Sequence, residues 1–179
     1  WGFAGTYNQL ANFNQRIHQQ VTDSPTSLTD VYAAQSNGVL PENLNLLNTA
    51  LFYDSYLTYR TNDGLYHSIL ETDGETAELV NQNKSTREKG FLGELAFSFG
   101  TNYRDKLYLG AQIGVQVLNY KMNSYYCEIA EADAPSLLDY YDFNEYRKLE
   151  GAGINGKLGV IYRPIPEFRF AAAFHTPTW

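Results

Sequence analysis

Apolar and small or polar residues alternate along much of the second half of the chain, and this alternation predicts β-strands. In LAFSFG the side chains of Leu95, Phe97 and Phe99 fall on one face, and after the short break TNYRDK the pattern resumes from Leu107 to Val117. So short a break predicts an antiparallel hairpin. The second face carries Gly, Ala, Ser and Gln where a wet face usually carries Lys, Glu and Thr, and this favours an enclosed polar space.

Further strands follow from the same period of two. The predicted strands are Trp1–Ile17, Glu78–Gly100, Leu107–Glu128, Phe143–Arg163 and the segment FRFAAAF. Both short turns, TNYRDK and RPIPEF, lie at the apolar ends of their hairpins, and the long polar connections lie at the opposite ends. Each apolar segment has about nine to eleven residues, the length that a tilted strand needs to cross a bilayer.

This asymmetry predicts an all-β fold, a transmembrane antiparallel β-barrel in the bacterial outer membrane. Residues 91–125 and 143–179 are the expected membrane hairpins, and residues 18–90 are the expected long extracellular loop with two short helices and an extended strand. A soluble sandwich or barrel with the apolar face as its core is the alternative reading of the same pattern.

The first predicted helix is Ser27–Ser36. Ser27 is a suitable N-cap, Asp30 favours the first turn, and Gly38 is a typical stop. Further on, the pair Asp73–Gly74 is typical of a tight hairpin turn.

The second predicted helix is Asn43–Tyr59, which follows Pro41. Leu44, Leu47 and Leu51 fall at helical spacing along it.

In a transmembrane barrel one face of each strand points to lipid and the other points to the lumen. The Leu, Phe and Val side chains point to lipid, and the Gly, Ser and Gln side chains point into the lumen. The polar residues expected to line the lumen are Glu94, Gln112, Gln116, Asn155, Lys157, Arg169 and His175.

Composition narrows the possible partners. The 179 residues carry a net charge of −7 and the pI is about 4.9, so a nucleic-acid partner is not expected. Mean hydropathy is −0.40, and no stretch approaches the roughly 20 apolar residues of a membrane helix. Cys127 is the only cysteine, which excludes an internal disulfide bond.

Candidate chemistry is sparse. GAGING fits a dinucleotide fingerprint, but the KLGVIYR that follows reads as a strand, whereas phosphate binding there needs a helix. His18, His67 and His175 show no metal-ligand spacing, and no G-x-S-x-G elbow exists. We expect no catalytic residues, no metal and no cofactor. The acidic stretches Glu128–Asp133 and Asp139–Glu145 read as solvated loop faces, with a divalent-cation site as the minor option.

The order of several segments resembles a known family. These are GTYNQLANFNQRI, SLTDVYAAQSNG, ALFYDSYLTY, LGELAFSFGTNYRDKLYLGAQIGV and GAGINGKLGVIYRPIPEFRFAAAFHTPTW. Together they resemble the FadL/TodX family of outer-membrane transport proteins, in its Bacteroidota branch. The last segment is the most specific, with a Gly-spaced strand, an Arg-Pro turn and an aromatic strand that ends in His-Thr-Pro-Thr-Trp.

The resemblance implies a barrel of about 14 strands, of which this chain supplies about five, so we expect an internal portion of a longer chain. It also implies a monomeric channel for passive uptake of hydrophobic small molecules such as long-chain fatty acids, with membrane lipid around it. The strand at Trp1–Ile17, with its two glycines, would supply a bend. By resemblance, the two helices form part of a capture groove, and the expected substrate contacts are Val31, Leu47, Leu51, Phe52 and Tyr56. Two alternatives stay open: a scaffold that binds proteins of a secretion machine, and an outer-membrane lipid hydrolase.

Overall fold

The computed structural model describes residues 1–72, 76–131 and 138–179, and antiparallel β-structure dominates it, with 66% of residues in strands and 11% in helices. The chain begins with β1 (Gly2–Asn12), β2 (Gln15–Ser24) and α1 (Leu28–Ser36), and a 3₁₀ turn at Pro41–Asn43 precedes α2 (Thr49–Asp54). Four short strands follow: β3 (Thr58–Arg60), β4 (Tyr66–Ser68), β5 (Glu71–Thr72) and β6 (Thr76–Ala77). The last four are β7 (Val80–Tyr103), β8 (Leu107–Ala130), β9 (Tyr140–Ile165) and β10 (Phe168–His175).

The main sheet has the strand order β1-β7-β8-β9-β10, and β2 also pairs with β7. Two small hairpins, β3-β4 and β5-β6, form separate two-stranded sheets. The predicted turn at Asp73–Gly74 lies outside the described residues, between β5 and β6. Neither of the helices among the described residues is long and apolar enough to cross a membrane.

The predicted single strand Trp1–Ile17 is wrong in its bounds, because it is two strands that break at Phe13 and Asn14. The break lies beside Gly90 of β7, whose carbonyl accepts a hydrogen bond from the Phe13 N–H (3.0 Å) and whose N–H donates to the Asn14 side chain (3.2 Å). Gly90 has φ +143°, and a Cβ there would lie 2.0 Å from the Asn119 carbonyl oxygen. Only glycine allows this approach of the β8 backbone, and the break between β1 and β2 lies at the same position along β7.

The hairpin predicted around TNYRDK is confirmed, with β7 ending at Tyr103 and β8 beginning at Leu107. Arg104 and Asp105 both have positive φ, as the two central residues of a type I′ turn require. The Asn102 side chain accepts from the Asp105 N–H at 3.0 Å and so holds the turn. The second predicted turn, RPIPEF, is also confirmed, because β9 ends at Ile165 and β10 begins at Phe168.

The three long strands are confirmed, but they extend further than the predicted membrane hairpins. β8 continues to Ala130 and β9 begins at Tyr140. Residues 18–90 contain most of β2, the helices and the start of β7 at Val80.

The first predicted helix is confirmed as α1. Ser27 is the N-cap, its side chain accepts from the Thr29 N–H, and Asp30 completes a capping box by accepting from the Ser27 N–H at 2.8 Å. Gly38 follows the helix with φ +79°.

The second predicted helix, Asn43–Tyr59, is wrong in extent. A 3₁₀ turn at Pro41–Asn43 is followed by a separate six-residue helix, α2. Two asparagines cause the interruption: the Asn45 side chain accepts from the Leu47 N–H (2.9 Å), and the Asn48 side chain caps α2 at the Thr49 N–H (2.6 Å). Such local bonds compete with the helical pattern.

The chain divides into two compact units. The strand unit contains Trp1–Arg16, Arg87–Asn123 and Tyr146–Trp179, and the helical unit contains Ile17–Thr86 and Ser124–Glu145. In the helical unit a small core forms around Ala33, Leu44, Ala50 and Tyr66.

Candidate functional site

One face of the strand unit is apolar and exposed. Ile113 is 61% exposed, Phe97 is 45% exposed and Phe174 is 63% exposed. The register places such residues side by side, because Phe3 pairs with Phe99 and Phe174 pairs with Leu158. Side chains of this size do not normally stand uncovered in water across several adjacent strands.

A shallow groove crosses this apolar face. Its volume is about 530 Å³, and its lining includes Leu109, Ala111, Leu158, Val160, Ala172 and Phe174. The alanines and Val160 leave the floor low between the larger side chains, so the groove has room for part of an extended hydrocarbon chain.

The opposite face of the same strands carries a buried carboxylate, Glu94, which is 1% exposed. One carboxylate oxygen accepts from the Lys157 ammonium at 2.8 Å and from the Gln112 amide at 3.3 Å. The other accepts from Gln116 at 2.9 Å and from Asn155 at 3.1 Å. Five of the seven predicted lumen residues thus form one cluster on three adjacent strands, which we call the Glu94 cluster.

Glycine makes the Glu94 cluster compact. A Cβ on Gly114 would lie 2.8 Å from the Asn155 amide oxygen and 3.1 Å from the Glu94 carboxylate. Gly114 therefore lets β8 pass directly beneath the cluster. The close packing explains why this position of the polar face is glycine, which the alternating sequence pattern alone does not explain.

The other two predicted lumen residues do not join the cluster. His175 pairs in register with Lys157, so its side chain lies on the same face of the sheet, but it is exposed. Arg169 lies at the register irregularity between Phe168 and Phe170 and is also exposed.

The predicted substrate contacts all lie in the helical unit, and their exposure differs widely. Leu47 and Tyr56 are about four-fifths exposed (80% and 81%), whereas Val31 and Leu51 are about half exposed (46% and 47%). Phe52 is 2% exposed and therefore offers no surface to a ligand. Its ring packs edge-on against three aromatic rings, those of Tyr32 (4.5 Å between centroids), Tyr141 (5.7 Å) and Phe143 (5.4 Å).

Sequence reasoning missed Glu128. The stretch Glu128–Asp133 was predicted to be a solvated loop face, but Glu128 lies in β8 and is 1% exposed, while residues 132 and 133 lie outside the described residues. Its carboxylate accepts hydrogen bonds from the Ser27 hydroxyl, the Leu28 N–H (2.9 Å) and the Gln82 amide (3.0 Å). It therefore sits at the N-terminus of α1, where a negative charge is favoured by the helix dipole.

Two tyrosines complete the Glu128 site. The Tyr141 hydroxyl donates to the carboxylate at 2.7 Å, and the Tyr126 hydroxyl donates to its other oxygen. Burial, and then the adjacent Glu128 charge and hydrogen bond, raise the pKa of both phenols well above the ordinary value of 10.0. Both tyrosines consequently remain hydrogen-bond donors at any physiological pH. The Glu128 carboxylate thus joins α1 to β8 through hydroxyl, amide and backbone N–H donors.

The full Glu128 site could not be found from local sequence, because Gln82 and Ser27 are 46 and 101 positions away from Glu128. The available local signal was Tyr126 and Glu128 on one face of β8, with Tyr141 at the start of β9.

Comparison of the chain with protein-family models, curated proteins and solved structures gave no match. Functional inference therefore rests on the two-faced strand unit, the Glu94 cluster and the exposed apolar residues of the helical unit.

Proposed function

We propose that the chain is part of an outer-membrane channel that takes up hydrophobic small molecules, such as long-chain fatty acids, by passive diffusion. The observation that supports this most directly is the pair of unlike faces on one set of strands. Leu109, Ile113 and Val117 are exposed on one face, and Gln112 and Gln116 belong to the Glu94 cluster on the other. A strand that separates lipid from a polar lumen requires this arrangement.

Energetics favour a lipid environment for the apolar face. Each square ångström of apolar surface left in water costs about 25 cal/mol relative to burial. Groups as large as Phe97, Phe170 and Phe174, all 45% exposed or more, would contribute strongly to aggregation if water covered them. If lipid hydrocarbon covered the apolar face, this surface would not be in contact with water, and no protein partner would be needed to cover it.

Barrel closure is part of the same proposal. β1 and β10 are the terminal strands of the main sheet's path, and their outer edges can pair with further strands of a longer chain. Closure would also place the Glu94 cluster inside a lumen, where a satisfied carboxylate contributes a polar wall without a free charge.

Capture of substrate is assigned to the exposed apolar residues of the helical unit. Leu46, Leu47 and Tyr56 are each at least 80% exposed, and Leu51 and Val31 are about half exposed. An acyl chain laid against these side chains would cover apolar surface that the fold leaves open.

Uptake can be measured with the full-length protein in lipid vesicles. We expect a fluorescent long-chain fatty acid to enter protein-containing vesicles faster than empty ones, and a water-soluble dye of similar size not to do so. Equal rates with and without the protein would contradict the proposed transport.

The capture residues can be tested by a double substitution, Leu47→Asp with Leu51→Asp. We expect fatty-acid affinity to fall at least about tenfold, because two leucine contacts are lost and two charges are placed beside the acyl chain. The matched control is Leu65→Asp with Leu79→Asp, at positions 46% and 39% exposed in the same unit. Unchanged affinity in the first variant, or an equal loss in the control, would remove these leucines from the binding surface.

A further inference from the structure

Charge is distributed very unequally between the two units. The strand unit contains eleven of the 13 lysines and arginines and five of the 20 acidic residues, whereas the helical unit contains two basic and fifteen acidic residues. The strand unit is thus positive although the chain as a whole carries −7. An apolar surface accompanied by positive charge suits an anionic amphiphile.

Cross-strand contacts fix which residues of β7 and β8 lie opposite one another. Ser98 bonds Gln112 (3.2 Å), Glu94 bonds Gln116 (2.9 Å), and a Cβ on Gly90 would meet Asn119 and Tyr120. This register continues one residue further and places Lys89 opposite Lys121.

Contacts between β8 and β9 also fix which of their residues lie opposite one another. The Arg163 N–H donates to the Lys106 carbonyl at 2.7 Å, and the Asn119 amide donates to Glu150 at 3.4 Å. This register places Lys121 opposite Lys148. Lys89, Lys121 and Lys148 therefore form a row across three adjacent strands, which we call the lysine row.

The lysine row lies on the apolar face, at the end away from the two short turns. All three side chains are exposed and share strand parity with outward residues of the band, namely Phe91 on β7, Val117 on β8 and Ile154 on β9. Arg87 is exposed on the same face, one step further along β7. On this face Phe91 follows Lys89 directly, whereas Asn119 and Glu150 lie between the other two lysines and the apolar band.

Like charges directly opposite each other destabilise a sheet. Glu150 offsets part of this repulsion, since its carboxylate lies 2.7 Å from the Lys148 ammonium, and the charge of Lys121 also acts on it. Three ammonium groups against one carboxylate leave a net positive row, and an anion bound beside the lysines would relieve this repulsion.

We propose that the lysine row binds the phosphate of a phosphorylated, multiply acylated glycolipid of the lipid A class, whose acyl chains lie on the apolar band below. The assignment rests on the proposed outer-membrane function. Charge complementarity selects the phosphate, and the apolar band on the same face, which begins at Phe91 beside Lys89, selects a lipid over free phosphate. Three neighbouring strands supply the lysines, so one headgroup can contact more than one of them.

The experiment uses the full-length protein in detergent and measures binding of phosphorylated lipid A and of the same lipid after enzymatic dephosphorylation. We expect Lys89→Gln, Lys121→Gln and Lys148→Gln together to weaken binding of the phosphorylated lipid about a hundredfold. The dephosphorylated lipid should bind the unmodified protein and the triple variant alike. A charge-matched control, Arg60→Gln with Lys84→Gln and Lys106→Gln, should bind as the unmodified protein does.

Equal affinity of the unmodified protein and the triple variant, or binding that ignores the phosphate, would overturn the proposal. Displacement of the lipid by millimolar inorganic phosphate would show that free phosphate is the ligand, and would overturn the lipid assignment. Fractionation, done in parallel, shows whether the protein is inserted in the membrane and so distinguishes failure of the lipid A proposal from failure of the proposed function. An inserted protein that does not bind lipid A contradicts the lipid A proposal alone. A protein that remains soluble without detergent contradicts the proposed function as well.

Discussion

Replacing Ile113 by arginine is expected to destabilise the membrane-inserted protein by about 2–4 kcal/mol, the cost of a basic side chain on the lipid face near the bilayer midplane. Ile113 lies in the middle of the apolar stretch from Leu107 to Val117, and its side chain is 61% exposed. The measurement is urea unfolding of the protein in phospholipid vesicles, with the folded fraction read from heat-dependent migration on a gel.

Gln112→Arg is the matched control, because it introduces the same charge one residue away on the other face. It should cost less than about 1 kcal/mol, since the new cation lies near the Glu94 carboxylate. If water instead of lipid covered this face, the same change at Ile113 would alter stability by less than about 0.5 kcal/mol. That result would contradict a lipid-facing Ile113.

The second large effect is expected at the Glu94 cluster. Lys157→Met removes the one cation that bonds the Glu94 carboxylate among the described contacts and leaves a buried negative charge held by three amides. Breaking a fully buried ion pair costs about 3–5 kcal/mol, and because the Lys157 side chain is 35% exposed we expect about 2 kcal/mol here. The readout is the same unfolding measurement in vesicles.

A double-mutant cycle makes this prediction specific. Adding Glu94→Leu to Lys157→Met removes the stranded charge, so the double variant should be less destabilised than the sum of the two single variants. Lys84→Met removes a cation from an exposed position and should change stability by less than about 0.5 kcal/mol. Strict additivity of the two single effects would show that Glu94 and Lys157 do not act as a pair.

Strand positions and face directions could be predicted from the sequence because both depend on local periodicity. Alternation located β7 to β10 and placed Glu94, Gln112, Gln116, Asn155 and Lys157 on one face. Their assembly around one carboxylate could not be predicted, because it depends on the register between strands. Register is set by close approaches such as those at Gly90 and Gly114.

The helical region shows where local pattern fails. The capping box of Ser27 and Asp30 identified α1 correctly, since a cap is a local signal. The leucine spacing after Pro41 suggested a long helix, yet the side chains of Asn45 and Asn48 bond nearby N–H groups and divide it. As a result Phe52 packs inward and Leu47 remains outside, so the leucines and Phe52 do not share one surface.

The most direct test of the lipid-facing apolar face is a spin-label scan of residues 107–117 in the full-length protein, reconstituted in bilayers with Cys127 replaced by serine. We predict that accessibility to oxygen, which concentrates in hydrocarbon, rises and falls with a period of two. Leu109, Ile113 and Val117 should be accessible to oxygen, and Gln112 and Gln116 should be shielded from it. Absence of this alternation, or greater accessibility of the odd-numbered positions to a water-soluble relaxation agent than to oxygen, would contradict it.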